Sequence, residues 1–260
     1  MSYIDKMFSL KGKVAAAIGA GGVLAGEMAR GLAKAGAKVA VLDLILDNAE
    51  KTASSIRSEW SGEAIAVQVD ATRKEDIERA LGEIIAAWGQ IDILINAPGI
   101  NSATPFFEIS EDEWQKIMNV NLKSMFLACQ VFGKRMIEQG NGGSIINISS
   151  ASSGPPLSRV FTYSISKAGV NNLTQFLARE WALQKIRVNA LAPGFFPAEQ
   201  NRKILTQDRV DSIFRHTPMG RFGDPEELVG AVIWLASEKA SSFVTGAVVR
   251  VDGGFTAVTI

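Results

Sequence analysis

Tyr163 and Lys167 stand four residues apart in "YSISK", and Ser150 closes "SIINISS" thirteen residues upstream. The segment that continues from Tyr163 keeps its apolar residues at helical spacing, so positions 163 and 167 share one face. A free phenol has a pKa of ~10, and at neutral pH only about one in a thousand is ionised. A neighbouring ammonium stabilises the phenolate, each pKa unit being worth ~1.4 kcal/mol, which makes tyrosine a usable proton donor or acceptor. A serine hydroxyl at the same edge could hold a substrate oxygen while the proton moves. An exposed helical Tyr–Lys pair with no chemistry is the competing account, but only two tyrosines occur in the chain.

A second constellation lies near the start. "GAGGVLAG" (19–26) follows the small apolar run Val14–Ile18 and leads into a helical pattern from about Leu24. A strand, a glycine loop and a helix present backbone N–H groups and the positive helix end to a pyrophosphate. Gly19, Gly21, Gly22, Val23 and Leu24 are the candidate phosphate contacts. The next strand ends at Asp43, whose carboxylate can accept from both hydroxyls of an adenosine ribose and would repel a 2′-phosphate. Leu44 follows it rather than a basic residue, so NAD is favoured over NADP. Asp70 and Asn96 close two further strands, where they could meet the adenine amino group and the adjoining backbone, and Gly99 permits a tight turn.

These residues need a scaffold. Strands are expected at Val14–Ile18, Lys38–Asp43, Ala64–Asp70, Ile91–Asn96, Ser144–Ser149, Arg187–Leu191 and Val248–Val251, separated by amphipathic helices. Strands apolar on both sides and alternating with helices imply a parallel sheet covered on both faces. Gly36, Gly89 and Gly140 read as helix stops. We expect one α/β domain over residues 1–260, a Rossmann-like, doubly wound parallel sheet with its chemistry beyond the strands' carboxyl ends.

With these motifs in place, the chain resembles the short-chain dehydrogenase/reductase family from end to end. "NAPG" (96–99), "MNVNL" (118–122), "SIINISS" (144–150), "YSISK" (163–167) and "NALAPG" (189–194) stand where that family carries its motifs. The resemblance implies an NAD(P)-dependent oxidoreductase with Ser150, Tyr163, Lys167 and Asn121 as its catalytic set, the Asn121 carbonyl holding a water that links the lysine to solvent. Asn119, nearby, is read as structural. Ala71, Ala97, Pro193, Gly194 and Phe196 join the expected cofactor contacts. Two departures stand out. The family's Thr-Gly-x-x-x-Gly-x-Gly falls on Ile18, Gly19, Val23 and Ala25, so only the first glycine is kept, with Gly21 and Gly22 supplying flexibility earlier. The threonine expected five residues after Pro193 is Ala198, beside Glu199.

Substrate choice is assigned to the loop after Ser150, to a segment of about 195–220 and to the C-terminus. Arg159 is placed one helical turn before Tyr163, where a guanidinium could clamp a carboxylate. Asn201, Arg202 and His216 make the later segment polar. "PGFFPAEQNRKIL" with "HTPMGRFG" is similar to the bacterial D-mannonate oxidoreductases (fructuronate reductases), which interconvert D-fructuronate and D-mannonate. Gluconate or other polyol dehydrogenases and 3-oxoacyl-carrier-protein reductases are sibling readings. A dinucleotide-sensing protein without catalysis is the reading from another class.

The 260 residues carry 27 basic and 27 acidic side chains, with no basic run for nucleic acid. No uncharged apolar stretch reaches the ~20 residues of a membrane span. Cys129 is alone and falls in an apolar helical pattern, which excludes an intrachain disulfide. One histidine, one cysteine and no paired carboxylates at ligand spacing give no metal site. The expectation is a cytoplasmic protein without membrane or nucleic-acid partners, and the resemblance implies a homotetramer.

Overall fold

The computed structural model describes residues 2–60, 62–197 and 206–257. Seven parallel strands form one sheet in the order β3-β2-β1-β4-β5-β6-β7: β1 Val14–Ile18, β2 Lys38–Asp43, β3 Ala64–Gln68, β4 Ile93–Asn96, β5 Gly143–Ile148, β6 Ile186–Pro193 and β7 Val248–Val251. β1 is buried along its length, and its small side chains let helices approach both faces. Because successive strand residues point to opposite faces, Ala15 and Ala17 join one core while Val14, Ala16 and Ile18 join the other.

The first core is covered by α2 (Val23–Lys34), α3 (Leu46–Trp60) and α9 (Val229–Ala236). The second is covered by α4 (Lys74–Trp88), α6 (Ser124–Gln139) and α7 (Phe161–Trp181). The doubly wound sheet expected from the sequence is therefore the observed architecture. Gly89 and Gly140 adopt left-handed conformations at the ends of α4 and α6, the stop geometry that favours glycine.

Several boundaries differ. β3 ends at Gln68, β4 starts at Ile93, and β6 extends from Ile186 to Pro193. A π-helical turn, Asn119–Lys123, links α5 (Glu111–Met118) to α6, so this stretch is one helix with a local widening. The remaining helices are α1 (Tyr3–Phe8), α8 (Gln207–Arg215) and α10 (Glu238–Ser241). Among the described residues, no helix is long and apolar enough to cross a membrane.

Candidate active site

A cavity of about 1090 Å³ runs along the carboxyl edge of the sheet, from Asp43 and Asp70 past the glycine loop to Ser150, Tyr163 and Arg159. β1 turns into the loop through Gly19, whose φ is +79°. A side chain there would be strained, and its Cβ would sit 3.1 Å from the Ala97 carbonyl oxygen. α2 begins at Val23 with Gly22 as its cap, no side chain capping it and no acidic residue in its first turn. Its opening N–H groups therefore lack intrahelical acceptors, and its positive end is unopposed, which suits a pyrophosphate. Val23 and Leu24 both line the cavity.

The spare glycines serve a purpose other than flexibility. Neither Gly21 nor Gly22 has a positive φ. A Cβ on Gly21 would lie 2.7 Å from both the Asp43 Cγ and the Asn48 Cβ. The Gly21 amide donates to Asp43 Oδ2 at 2.9 Å, and the Ile45 amide donates to Oδ1 at 3.0 Å. The loop is thus tied to the end of β2, and glycine at 21 is required by space. Each carboxylate oxygen of Asp43 keeps a further acceptor site for a ribose hydroxyl. Leu44 is exposed beside it. These features fit an adenine dinucleotide.

Asp70 also lines the cavity, and its Oδ1 accepts from the Thr72 amide and hydroxyl at 2.9 and 2.7 Å. Ala71, Ala97, Gly99, Pro193, Gly194 and Phe196 line the cavity. Gly99 is not left-handed, and a Cβ there would meet the Lys167 Nζ at an ordinary 3.5 Å; its turn does not demand glycine. Gly194 does face a close approach, since a Cβ would lie 2.7 Å from the Asp252 Cα.

Asn96 is corrected. It is fully buried away from the cavity wall, donating from Nδ2 to the Met125 carbonyl at 3.1 Å and to Asn147 Oδ1 at 3.2 Å. Its side chain braces β4 against α6 and β5.

At the other end, Ser150 caps the turn after β5 and accepts from the Ser152 amide at 3.1 Å. Its hydroxyl shares a hydrogen bond with Tyr163. Lys167 is buried on the same face of α7, its Nζ donating to the Ile148 carbonyl at 2.8 Å and lying 5.7 Å from the Tyr163 ring centroid. The electrostatics differ from the expected acidified phenol. Burial raises the Tyr163 pKa above its ordinary value, with the Ser150 hydrogen bond opposing it. Burial also lowers Lys167 to about 8. The desolvation that brings the pair together disfavours charge on both groups.

Asn121 sits in the π turn, and its side chain does not line the cavity. Its Oδ1 accepts from the Ile100 amide at 2.8 Å, and its Nδ2 donates to the Ile100 carbonyl and the Ser166 hydroxyl at 2.9 and 3.0 Å. This side chain ties the loop after β4 to α7. Asn119, accepting from Gln115 Nε2 at 2.8 Å on the surface, is structural as expected.

Of the substrate candidates, Arg159 lines the cavity but precedes α7, in a left-handed conformation with φ +70°. His216 is corrected: it is off the wall, capping α8, with Nδ1 hydrogen-bonded to the Ser212 carbonyl at 2.8 Å. One ring nitrogen is thus held by its own helix. Ala198, Glu199, Asn201 and Arg202 lie outside the described residues. Sequence reasoning missed Arg209, which lines the cavity from α8 with Thr206 and Ile213. The spacing of 206, 209 and 213 was the available signal. No group of side chains suited to a metal ion occurs among the described residues.

The family model described as enoyl-(acyl carrier protein) reductase, adh_short_C2, matches residues 19–256. The 2-dehydro-3-deoxy-D-gluconate 5-dehydrogenase of Escherichia coli (strain K12) is 37% identical over 252 residues, 96% of this chain and 98% of that protein. Among solved structures, a gluconate 5-dehydrogenase from Burkholderia cenocepacia J2315 in complex with NADP and tartrate superposes with a TM-score of 0.93 at 36% identity, covering 99% of this chain and 100% of its own. A Haemophilus influenza protein with bound NAD, provisionally named a D-mannonate oxidoreductase, also reaches 0.93 at 37% identity, covering 98% and 99%.

Proposed function

We propose, for a chain that belongs to the short-chain dehydrogenase/reductase family and is an oxidoreductase of alcohol groups, that its substrate is a sugar acid, with D-fructuronate and D-mannonate as the ketone and alcohol and NAD(H) as the preferred cofactor. One observation carries the substrate class. The carboxylates lining the cavity, Asp43 and Asp70, stand at its adenosine end, whereas the cations Arg159 and Arg209 line it with no carboxylate at ion-pair distance among the described residues. Such a field attracts an anion to the reacting end.

In this reading the nicotinamide, when bound, supplies or takes up the hydride. Ser150 orients the substrate oxygen by hydrogen bonding. Tyr163 Oη gives that oxygen its proton during reduction and takes it back during oxidation. Lys167, close to neutrality at about 8, replenishes the proton. Asn121 holds the loop and helix that frame them. The NAD preference rests on Asp43 followed by Leu44, since a carboxylate at the ribose repels a 2′-phosphate.

We include in the proposal one catalytic domain with its substrate segment at about 195–220, and cytoplasmic residence. A homotetramer is supported by the exposed apolar Phe126 and Ile137 of α6 and Phe176 of α7. The test is turnover of D-fructuronate, 5-keto-D-gluconate and an acetoacetyl thioester with NADH and NADPH side by side. The reading expects highest kcat/KM for D-fructuronate with NADH, and abolition of turnover by Tyr163→Phe. No rate on D-fructuronate overturns that substrate, and highest efficiency on the ketogluconate installs the gluconate reading favoured by the Escherichia and Burkholderia relatives.

A further inference from the structure

We infer that Arg209 is the specificity-determining residue that binds the substrate's carboxylate, delivered to the site by α8 and aimed by Ser158. This rests on the sugar-acid reading above and names the group that carries it.

Arg209 approaches the cavity from an element remote from the catalytic strand ends. Thr206 caps α8, its hydroxyl accepting from the Arg209 amide at 3.4 Å, so the helix starts immediately before the arginine. The inward stripe is Thr206, Arg209 and Ile213; Ile213 is buried and fastens the helix beneath the cavity. The guanidinium then crosses to the opposite wall, where Nη1 donates to the Ser158 hydroxyl at 3.2 Å. Ser158 lies five residues before Tyr163, so this contact links α8 to the loop that leads directly into the catalytic helix.

That single contact uses one of the five N–H donors of the guanidinium. Nη2 and Nε have no hydrogen bond among the described residues, and no described carboxylate lies within 4.0 Å of the group. A cation half-screened from water, held at one corner and with a free planar edge, is arranged to receive a carboxylate in a two-pronged bond. Arg159 also lines the cavity, but it is exposed and makes no hydrogen bond among the described residues. Its own backbone is left-handed at φ +70°. Arg159 adds positive charge, whereas Arg209 supplies a fixed binding direction.

The experiment compares wild type, Arg209→Gln, Arg209→Lys and Arg159→Gln, each saturated with NAD+, for binding of D-mannonate and of D-mannitol, which replaces the carboxylate by a hydroxymethyl group. Calorimetric titration of each protein carrying Tyr163→Phe, which prevents turnover, gives both affinities, and turnover of the same proteins with Tyr163 intact separates KM from kcat. The wild type is expected to prefer mannonate, and Arg209→Gln to weaken mannonate binding roughly 10- to 100-fold, the worth of a charge-assisted hydrogen bond. Mannitol binding and NAD+ affinity should change less than about twofold, with partial recovery of mannonate binding in Arg209→Lys because a point charge replaces a fork. If Arg209→Gln keeps the full wild-type preference, or if Arg159→Gln alone loses it, the inference is overturned while the sugar-acid reading stands. If wild type binds mannonate no better than mannitol, the sugar-acid reading falls first and takes the inference with it.

Discussion

Replacing Lys167 with methionine should stabilise the protein while abolishing turnover, because the fold holds this amine where its charged form is unfavourable. Lys167 is only 3% exposed, and burial takes it from 10.5 to about 8. A difference of that size between folded and unfolded chains corresponds to ~3 kcal/mol of destabilisation at neutral pH. Methionine fills similar space without charge, but it leaves the Ile148 carbonyl without the donor now at 2.8 Å, which costs ~1 kcal/mol. The net expectation is a gain of ~2 kcal/mol at pH 7. The pH dependence has a definite sign. Between about 8 and 10.5 the unfolded lysine is protonated and the folded one is not, so wild-type stability rises with pH across that window. The methionine variant lacks this term. Its advantage is complete below about pH 8, shrinks through the window and turns into the small deficit of the missing hydrogen bond above it. Urea unfolding of both proteins at pH 7 and pH 10 measures the difference, in which the other titrating groups cancel. A variant less stable than wild type at pH 7, or a difference that ignores pH, would refute the claim that desolvation dominates at Lys167.

Asp43→Ser should raise kcat/KM with NADPH relative to NADH by at least tenfold, since like charges about 6 Å apart repel by ~3 kcal/mol near a protein surface; parallel assays with the two cofactors check it. Gly21→Ala should raise the KM for NADH roughly tenfold while leaving the melting temperature nearly unchanged, because its methyl would meet Asp43 and Asn48 at 2.7 Å and push the loop off the phosphates. Asn96→Ala should do the opposite, lowering stability by ~2 kcal/mol as buried hydrogen bonds to Met125 and Asn147 are lost. The NADH affinity of that variant, read by fluorescence titration, should stay within about twofold of wild type.

Much of the architecture was legible because the strands declare themselves as short apolar runs and the helices as amphipathic stretches between them. The reacting groups were legible for a similar local reason: Tyr163 and Lys167 lie at helical spacing, and Ser150 ends a strand. Their charge states were not, because desolvation depends on what packs around α7, and burial shifts the tyrosine up and the lysine down. Arg209 escaped notice because its role depends on a hydrogen bond to Ser158, 51 residues away in sequence. His216 attracted attention as the sole histidine, yet the helix that carries it ends one residue earlier and recaptures its ring.

Asn96 shows most sharply what sequence could not supply. Asp43 and Asn96 are both the last residue of a strand, and in sequence they look equivalent at the carboxyl edge. Register separates them. Ile18 of β1 pairs with Leu42 on one side and with Asn96 on the other, so Asn96 lies in the row of Leu42, one residue deeper than Asp43. Side chains in alternate rows face opposite layers, and the Asn96 row belongs to the core under α6, where Asn147 pairs with it in register and Thr174 continues the polar chain at 3.0 Å. One row outward, the positions flanking this pair are Ala97 and Ile148, and both line the cavity together with Asp43. At β4 and β5 the edge therefore has two tiers: Ala97 and Ile148 open to the cavity, and beneath them the hydrogen-bonded pair Asn96 and Asn147 that holds the two strand ends together. Lys167 ties α7 to the outer tier, since its amine donates to the Ile148 carbonyl and its own carbonyl accepts from the Ser149 hydroxyl at 3.3 Å. A polar residue at a strand end is thus a ligand contact only when its row is the outermost one, and a shift of a single residue in pairing converts a binding group into a brace.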